Sequence, residues 1–229
     1  MYGSDYLRFW HKTVAITRKD VISEMRAKEI IFSVLVFAII VMVIFNVTFG
    51  VGQETMRMVA PGILWVTFTF AGVLSLNRAF VAEKEEGCIE GLMVCPVSRE
   101  VIYVGKLLGS LLFVLIVEVI SLTIFAFLSN LSVFSLQLVT VVILATIGFV
   151  AVGTLFSALA VNTKARELVL PILFFPIVVP VIISAVNASG LALSGESWSG
   201  LSPWLQIIGA FDVIFLVVSF LIFAFVIEE

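Results

Sequence analysis

Two carboxyl groups lie within the most apolar parts of this sequence, where an acidic side chain needs a specific reason to be present. Glu118 falls in the apolar stretch 107–128, and Asp212 falls in the stretch 205–227. A charged side chain costs roughly 3 kcal/mol at the centre of a membrane-spanning helix. We therefore expect both to face protein, a cavity or a lipid-depleted groove, either lining one common pathway or hydrogen-bonding to neighbouring helices.

A second group of polar side chains lies in the long charged segment 77–106, between two apolar stretches. Glu86 and Glu90 are four residues apart and share one face of a short predicted helix, while Leu92 belongs to an apolar ridge on another face. Pro96 ends the helix because proline cannot continue it. This pattern favours a surface helix that docks on a partner protein over a plain solvated loop.

The composition indicates that membrane-spanning helices carry these groups. The chain has 229 residues, of which 62% are hydrophobic and 13% are charged, against about 25% charged in a soluble domain. This balance excludes a soluble enzyme, a nucleic-acid-binding module and a disordered chain. A bilayer-spanning helix needs about 20 apolar residues, and six stretches qualify: 30–49, 59–76, 107–128, 136–161, 168–187 and 205–227.

The positions of Lys and Arg predict the orientation of these six spans. Twelve of the 13 basic residues fall before the first span or in the connections on the same side, and only Arg57 falls on the other side. No basic residue falls within a predicted span. Because basic residues accumulate on the cytoplasmic side of a membrane, we predict that both termini are cytoplasmic.

Residues 1–29 are predicted to form an amphipathic helix ahead of the first span. Trp10, Val14 and Met25 recur at helical spacing, and basic residues lie elsewhere around the helix. Such a helix would lie in the cytoplasmic headgroup layer, with its cations near anionic lipid. The alternative is a soluble tail whose apolar residues dock on another subunit.

The fifth span, 168–187, contains Pro171, Pro176 and Pro180. Each proline removes a backbone donor and clashes with the preceding turn, so we expect these residues to break the helix. The freed carbonyl groups would need protein or water as partners. The Gly- and Ser-rich segment 188–204 that follows suits short half-helices at the outer interface, or a disordered loop.

Small residues spaced four apart predict two close helix contacts. Gly105 and Gly109 have this spacing at the start of the third span, and Gly153 and Ser157 have it in the fourth. The spacing permits close approach of helix backbones. It is more typical of ordinary packing than of a dimer interface.

Several kinds of chemistry have no matching residues in this sequence. There is no G-x-x-x-x-G-K-[ST] phosphate-binding loop, so ATP would have to bind to another chain. His11 is the single histidine, so no His pair exists for a metal site, for haem ligation or for an intramembrane protease. Cys88 and Cys95 are interpreted as packing residues. Active transport would need a separate ATPase or protons, and the patterned segment 77–106 favours the ATPase.

Three stretches of the sequence resemble one known family. They are KDVISEMRAKEIIFSVLVFAIIVMVIFN, APGILWVTFTFAGVLSLNRAFVAEKEEGCIEGLMVCPVSR and the closing IEE. Together they resemble CcmB, the membrane subunit of the haem-exporter-type ABC transporter of cytochrome c maturation. The resemblance implies an all-α membrane domain with six spans, an N-terminal elbow helix and a cytoplasmic coupling helix, in the bacterial inner membrane.

The resemblance also implies partners and roles. The chain would form a homodimer, bind two copies of the ATPase CcmA, and act beside CcmC and CcmD in delivering haem to the chaperone CcmE. The ATPase-coupling contacts would be the following residues of the charged segment: Glu86, Gly87, Glu90, Leu92, Pro96 and Arg99. Haem would be cargo rather than a resident cofactor, and ATP hydrolysis would drive either its export or the release of the loaded chaperone.

Other functions fit the same architecture. The chain could move another lipid-like or glycan cargo, or it could be an assembly scaffold with no conduction path. A proton-driven carrier that uses Glu118 and Asp212 is a further alternative. No enzymatic activity is expected of this chain itself.

Overall fold

The computed structural model describes the backbone of residues 2–26, 28–49, 53–85, 98–161 and 166–226. Within these ranges it contains seven helices and no strand. In chain order the helices are α1 (Tyr2–Arg26), α2 (Lys28–Phe49), α3 (Gln53–Glu85), α4 (Arg99–Ser129), α5 (Leu136–Val161), α6 (Arg166–Leu193) and α7 (Trp198–Val226).

Six of these helices, α2 to α7, are long and apolar enough to cross a membrane. An apolar solvent offers no partners to backbone groups, so a spanning segment must satisfy them within its own helix. The all-α architecture with six membrane-spanning helices is therefore confirmed. The shorter predicted coupling helix lies outside the described residues.

Helix α5 occupies the centre of the bundle and contacts α3, α4, α6 and α7. In the apolar stretches of α3 and α5, 72% of the residues are buried, against 17% in α2 at the periphery. Two close contacts join α3 to α5: Gly72 lies against the Phe149 ring, and Gly153 lies against the Leu76 side chain. Ser157 donates a hydrogen bond to the Leu76 carbonyl (2.9 Å), so this small-residue pair packs within the chain.

The helices that flank the charged segment are longer than the predicted spans. Helix α3 continues past residue 76 to Glu85, and α4 begins at Arg99 instead of residue 107. The nine residues 77–85 add about 13 Å of helix at 1.5 Å per residue. Both helices therefore extend beyond their apolar stretches at the same end of the bundle.

The expectation that prolines break the fifth span is wrong. Helix α6 continues from Arg166 through Pro171, Pro176 and Pro180 to Leu193. Pro176 and Pro180 are exposed, so their rings face away from the helices that pack on α6. Membrane helices tolerate proline when other groups take up the freed carbonyls.

The segment 188–204 does not form separate half-helices. It consists of the end of α6, a tight turn, and the start of α7. Gly195 has φ +78° and ends α6, while the Glu196 amide donates to the Leu191 carbonyl (3.0 Å) and the Gly195 amide donates to the Ala192 carbonyl (3.2 Å). This left-handed glycine cap explains why the Gly- and Ser-rich composition marks a helix end.

Candidate functional site

The predicted ATPase-coupling residues fall largely outside the described part of the chain. Glu86, Gly87, Glu90, Leu92 and Pro96 all lie in the range 86–97, for which no structure is described. The range is bounded by the end of α3 and by Ser98, which precedes α4.

Arg99, the last predicted coupling residue, lies in the first turn of α4 with its side chain partly exposed. The Ser98 carbonyl accepts hydrogen bonds from the amides of Val101 (3.1 Å) and Ile102 (3.4 Å). These bonds fix the direction in which α4 leaves the charged segment.

The first turns of α4 pack tightly against α1. Ile16 of α1 lies against Gly105, and Thr17 donates a hydrogen bond to the Gly105 carbonyl (3.1 Å). The Asp20 side chain packs against Gly109, the next small residue along α4. The predicted Gly105/Gly109 contact thus exists, and its partner is α1 rather than another spanning helix.

A buried ion pair closes the junction between α1 and α4. The Lys106 ammonium lies 3.4 Å from the Asp20 carboxylate, which also pairs with Lys19 at 3.2 Å. Lys106 lies on the part of α4 that precedes the predicted span 107–128. Sequence analysis missed this pair because its partners are 86 positions apart.

Helix α1 divides its residues between two faces. Thr13, Ile16 and Asp20 are buried, whereas Trp10 and Val14 are exposed. The apolar stripe read from the sequence is therefore on the outside, and a more polar face holds the helix to α4. An outward apolar face beside a bundle end is the arrangement that an interfacial helix requires.

The Glu118 carboxyl group is held between α4 and α5. Its side chain is 4% exposed, and the Thr146 hydroxyl of α5 donates a hydrogen bond to the carboxyl group, whose two oxygens both lie 2.9 Å away. The same hydroxyl lies 2.7 Å from the Val142 carbonyl. A hydroxyl has one proton to donate. If Glu118 is replaced by an apolar residue, the Thr146 hydroxyl can donate that proton to the Val142 carbonyl instead.

The Asp212 carboxyl group has a different environment between α5 and α7. Its side chain is 6% exposed and lies directly against Gly148 of α5. A Cβ atom at position 148 would collide with Asp212 Oδ1 and lie 2.9 Å from the Phe211 ring. Among the described residues, no side chain donates a hydrogen bond to Asp212 Oδ1, and its polar neighbour is the Gly148 backbone.

Glu118 and Asp212 lie at similar depth but against different faces of α5. Their contacts on α5, Thr146 and Gly148, are two residues apart, which is about 3 Å along a helix and about 200° around it. The structure does not bring the two carboxyl groups together, since the central helix separates them.

No group of three or more His, Cys, Asp or Glu side chains that could hold a metal occurs among the described residues.

At the end of the bundle opposite α1, Gln137 of α5 donates to the Glu196 carbonyl (2.7 Å) beside the α6–α7 turn. Trp65 of α3 donates to Ser189 of α6 (2.9 Å). These bonds tie the bundle together at the end away from the charged segment.

A family model described as CcmB protein matches residues 11–228 of this chain. Among curated relatives, heme exporter protein B of Pseudomonas aeruginosa is 28% identical over 172 residues, covering 75% of this chain and 77% of the relative. The protein of the same name from Rhodobacter capsulatus is 32% identical over 164 residues, covering 68% and 75%. That from Bradyrhizobium diazoefficiens is 25% identical over 206 residues, covering 90% and 92%.

Proposed function

Since the chain belongs to the CcmB family, we propose that it is the membrane subunit of a haem exporter that acts in cytochrome c maturation. The observation that carries this proposal is the family match over residues 11–228. The curated relatives named heme exporter protein B support the haem assignment. The six apolar helices supply the membrane domain that such a subunit needs.

The energy for export would come from a separate ATPase, the CcmA of this family. The segment 86–97 would dock on it through Glu86, Glu90 and the ridge that includes Leu92. This proposal is supported by the two long helices, α3 and α4, that lead to and from the segment. The absence of a phosphate-binding loop from the sequence favours a non-catalytic role for this chain.

The end of the bundle that carries α1 would face the cytoplasm of a bacterial inner membrane. This orientation is supported by the excess of Lys and Arg in the N-terminal segment and in the connections predicted to lie on the same side of the membrane. The same end carries the start of α4, through the Asp20–Lys106 pair. An ATPase docked on residues 86–97 would then also lie beside α1.

The proposed assembly contains two copies of this chain, two copies of CcmA, and the partners CcmC, CcmD and CcmE. Haem would be the cargo, and ATP hydrolysis would drive its export or the release of the haem-loaded chaperone. The only histidine, His11, is exposed on α1. Axial ligation of haem by this chain at the outer side is therefore not part of the proposal.

The two membrane carboxyl groups would have different roles. Glu118 would join α4 to α5 through its hydrogen bond with Thr146. Asp212 would be the carboxyl that serves transport, because no side chain among the described residues donates a hydrogen bond to its Oδ1 atom. Intramembrane ionisable residues are functional candidates by default.

Site-directed cross-linking tests the coupling proposal. Ile89 shares the predicted apolar ridge with Leu92. In a chain with Cys88 and Cys95 replaced by serine, Ile89→Cys should cross-link to the co-expressed ATPase, with a yield that changes on adding nucleotide. Phe134→Cys is the control, because Phe134 is exposed in the α4–α5 connection at the opposite end of the bundle. If Ile89→Cys gave no cross-link with or without nucleotide, the result would contradict ATPase-driven export both of haem and of a lipid-like or glycan cargo.

A cargo assay separates haem export from the same architecture moving a lipid-like or glycan cargo. Membranes that contain the complex should yield haem-loaded CcmE only when this chain is present and the ATPase is active. Complexes lacking this chain provide the control. Normal loading and release of CcmE without the chain would favour another cargo, and normal release with an inactive ATPase would favour a scaffold.

A further inference from the structure

Helix α1 packs on α4 at the level where the apolar stretch of α4 begins. Ile16 of α1 lies against Gly105, and Asp20 lies against Gly109. These two glycines lie on either side of residue 107, the first residue of the apolar stretch 107–128. A bilayer whose hydrocarbon covers that stretch has its headgroup layer beside α1.

The side chains of α1 fall into three sectors, roughly 120° apart around the helix. One sector is buried against α4, the second is exposed and apolar, and the third is exposed and basic. Typical members are Ile16 and Asp20 in the first, Trp10 and Val14 in the second, and Arg18 and Arg26 in the third. A helix at a membrane surface beside a protein needs these three faces, for protein, acyl chains and headgroups.

The ion pair with α4 leaves the outer surface of α1 with an excess of positive charge. Asp20 is 8% exposed, and its carboxylate lies 3.4 Å from the Lys106 ammonium. Among the α1 side chains that the structure describes, the other acidic one is Glu24, which is half-buried. Because a cation of α4 compensates Asp20, this acid does not cancel the exposed cations of α1.

We infer that α1 carries a binding surface for anionic phospholipid headgroups, formed by Arg18 and Arg26 beside the exposed apolar sector. A guanidinium group can donate two parallel hydrogen bonds to a phosphate group. Cations near a membrane surface also attract lipids with a net negative charge. A zwitterionic membrane would accept Trp10 and Val14 but would offer the two arginines no net charge. The inference depends on the α1–α4 packing and not on the proposed export function.

Fluorescence quenching by brominated lipids tests this inference on the full chain in lipid nanodiscs. In a chain with Cys88 and Cys95 replaced by serine, Val14→Cys carries a fluorophore on the exposed apolar sector. Nanodiscs of one phosphatidylcholine and phosphatidylglycerol mixture are prepared with bromine on either one lipid or the other. Brominated phosphatidylglycerol should be enriched around the fluorophore about fivefold or more, the factor expected for one cation near an anionic surface. High salt should reduce this preference because it screens exposed charges.

Arginine variants locate the binding surface. The double variant Arg18→Gln/Arg26→Gln should lose the preference for phosphatidylglycerol and keep quenching by both lipids, because Val14→Cys still meets acyl chains. Arg57→Gln is the matched control, since Arg57 is exposed near the start of α3, at the opposite end of the bundle, and it should keep the preference.

Three outcomes would overturn the inference. Equal quenching by the two lipids in the chain with all its arginines would show that α1 does not select anionic lipid. The same preference in the double variant and in Arg57→Gln would show that Arg18 and Arg26 do not form the surface. No quenching by either lipid would show that another protein chain covers the apolar sector. Because the assay needs no ATPase or haem, failure of the export proposal would leave its result unchanged.

Discussion

The α4–α5 contact and the α5–α7 contact each bury one carboxyl group at a similar depth, yet the hydrogen-bonding environments of the two groups differ. Thr146 donates a hydrogen bond to Glu118. Gly148 has no side chain, and no side chain in the described structure donates a hydrogen bond to Asp212 Oδ1. The comparison teaches that burial of an acidic residue does not by itself identify a functional one.

The residue that faces each carboxyl on α5 makes this difference. A threonine supplies a donor and turns the carboxyl group into an interhelical link, of the kind that membrane helices use for association. A glycine lets α7 approach closely but leaves the carboxyl group available to another ligand. Substitutions at positions 146 and 148 therefore test the two environments directly.

The largest effect on stability is expected from Gly148→Ala. The added Cβ would collide with Asp212 Oδ1 and press on the Phe211 ring, and such overpacking costs about 1–3 kcal/mol. Gly209→Ala on α7 is the control, because a Cβ there meets nothing within 4 Å. Thermal unfolding in detergent should show a lower Tm for Gly148→Ala only. Equal Tm values for both variants would mean that α7 is free to move away from α5.

An intermediate effect is expected from Thr146→Val. This isosteric change removes the donor and leaves the buried Glu118 carboxyl group unpartnered, at a cost of about 1–2 kcal/mol. Glu118→Leu should cost less, because Thr146 keeps the Val142 carbonyl as its acceptor. Comparison of the two unfolding midpoints checks this asymmetry. A larger loss for Glu118→Leu would show that packing of the Glu118 stem, rather than its hydrogen bond, joins α4 to α5.

The six apolar helices could be predicted from sequence because each depends on local composition. A run of apolar residues predicts a membrane helix wherever its neighbours lie. The same local reading placed Gly105 and Gly109 in a close contact. It could not name α1 as the partner, since that depends on packing between distant parts of the chain.

The errors of sequence analysis have the same origin. Sequence analysis missed the Asp20–Lys106 pair, because its two residues are 86 positions apart and belong to different helices. The prolines of α6 were expected to break the helix, but Pro176 and Pro180 point away from the packed face and leave it continuous. In both cases the residue type was read correctly, and its surroundings decided the outcome.

The smallest effect on stability, and the one that most sharpens the comparison, is expected from Asp212→Asn. This near-isosteric change removes no side-chain hydrogen bond from Oδ1 and keeps an acceptor oxygen beside the Gly148 backbone, so the free energy of unfolding should shift by less than about 0.5 kcal/mol. Haem-dependent loading of the chaperone should nevertheless fall about tenfold, equivalent to about 1.4 kcal/mol in activation free energy. Glu118→Gln is the matched control and should retain loading, because an amide still accepts the Thr146 proton. Equal losses in both variants would restore the hypothesis of one pathway lined by both carboxyl groups, and no loss in either would assign both to packing.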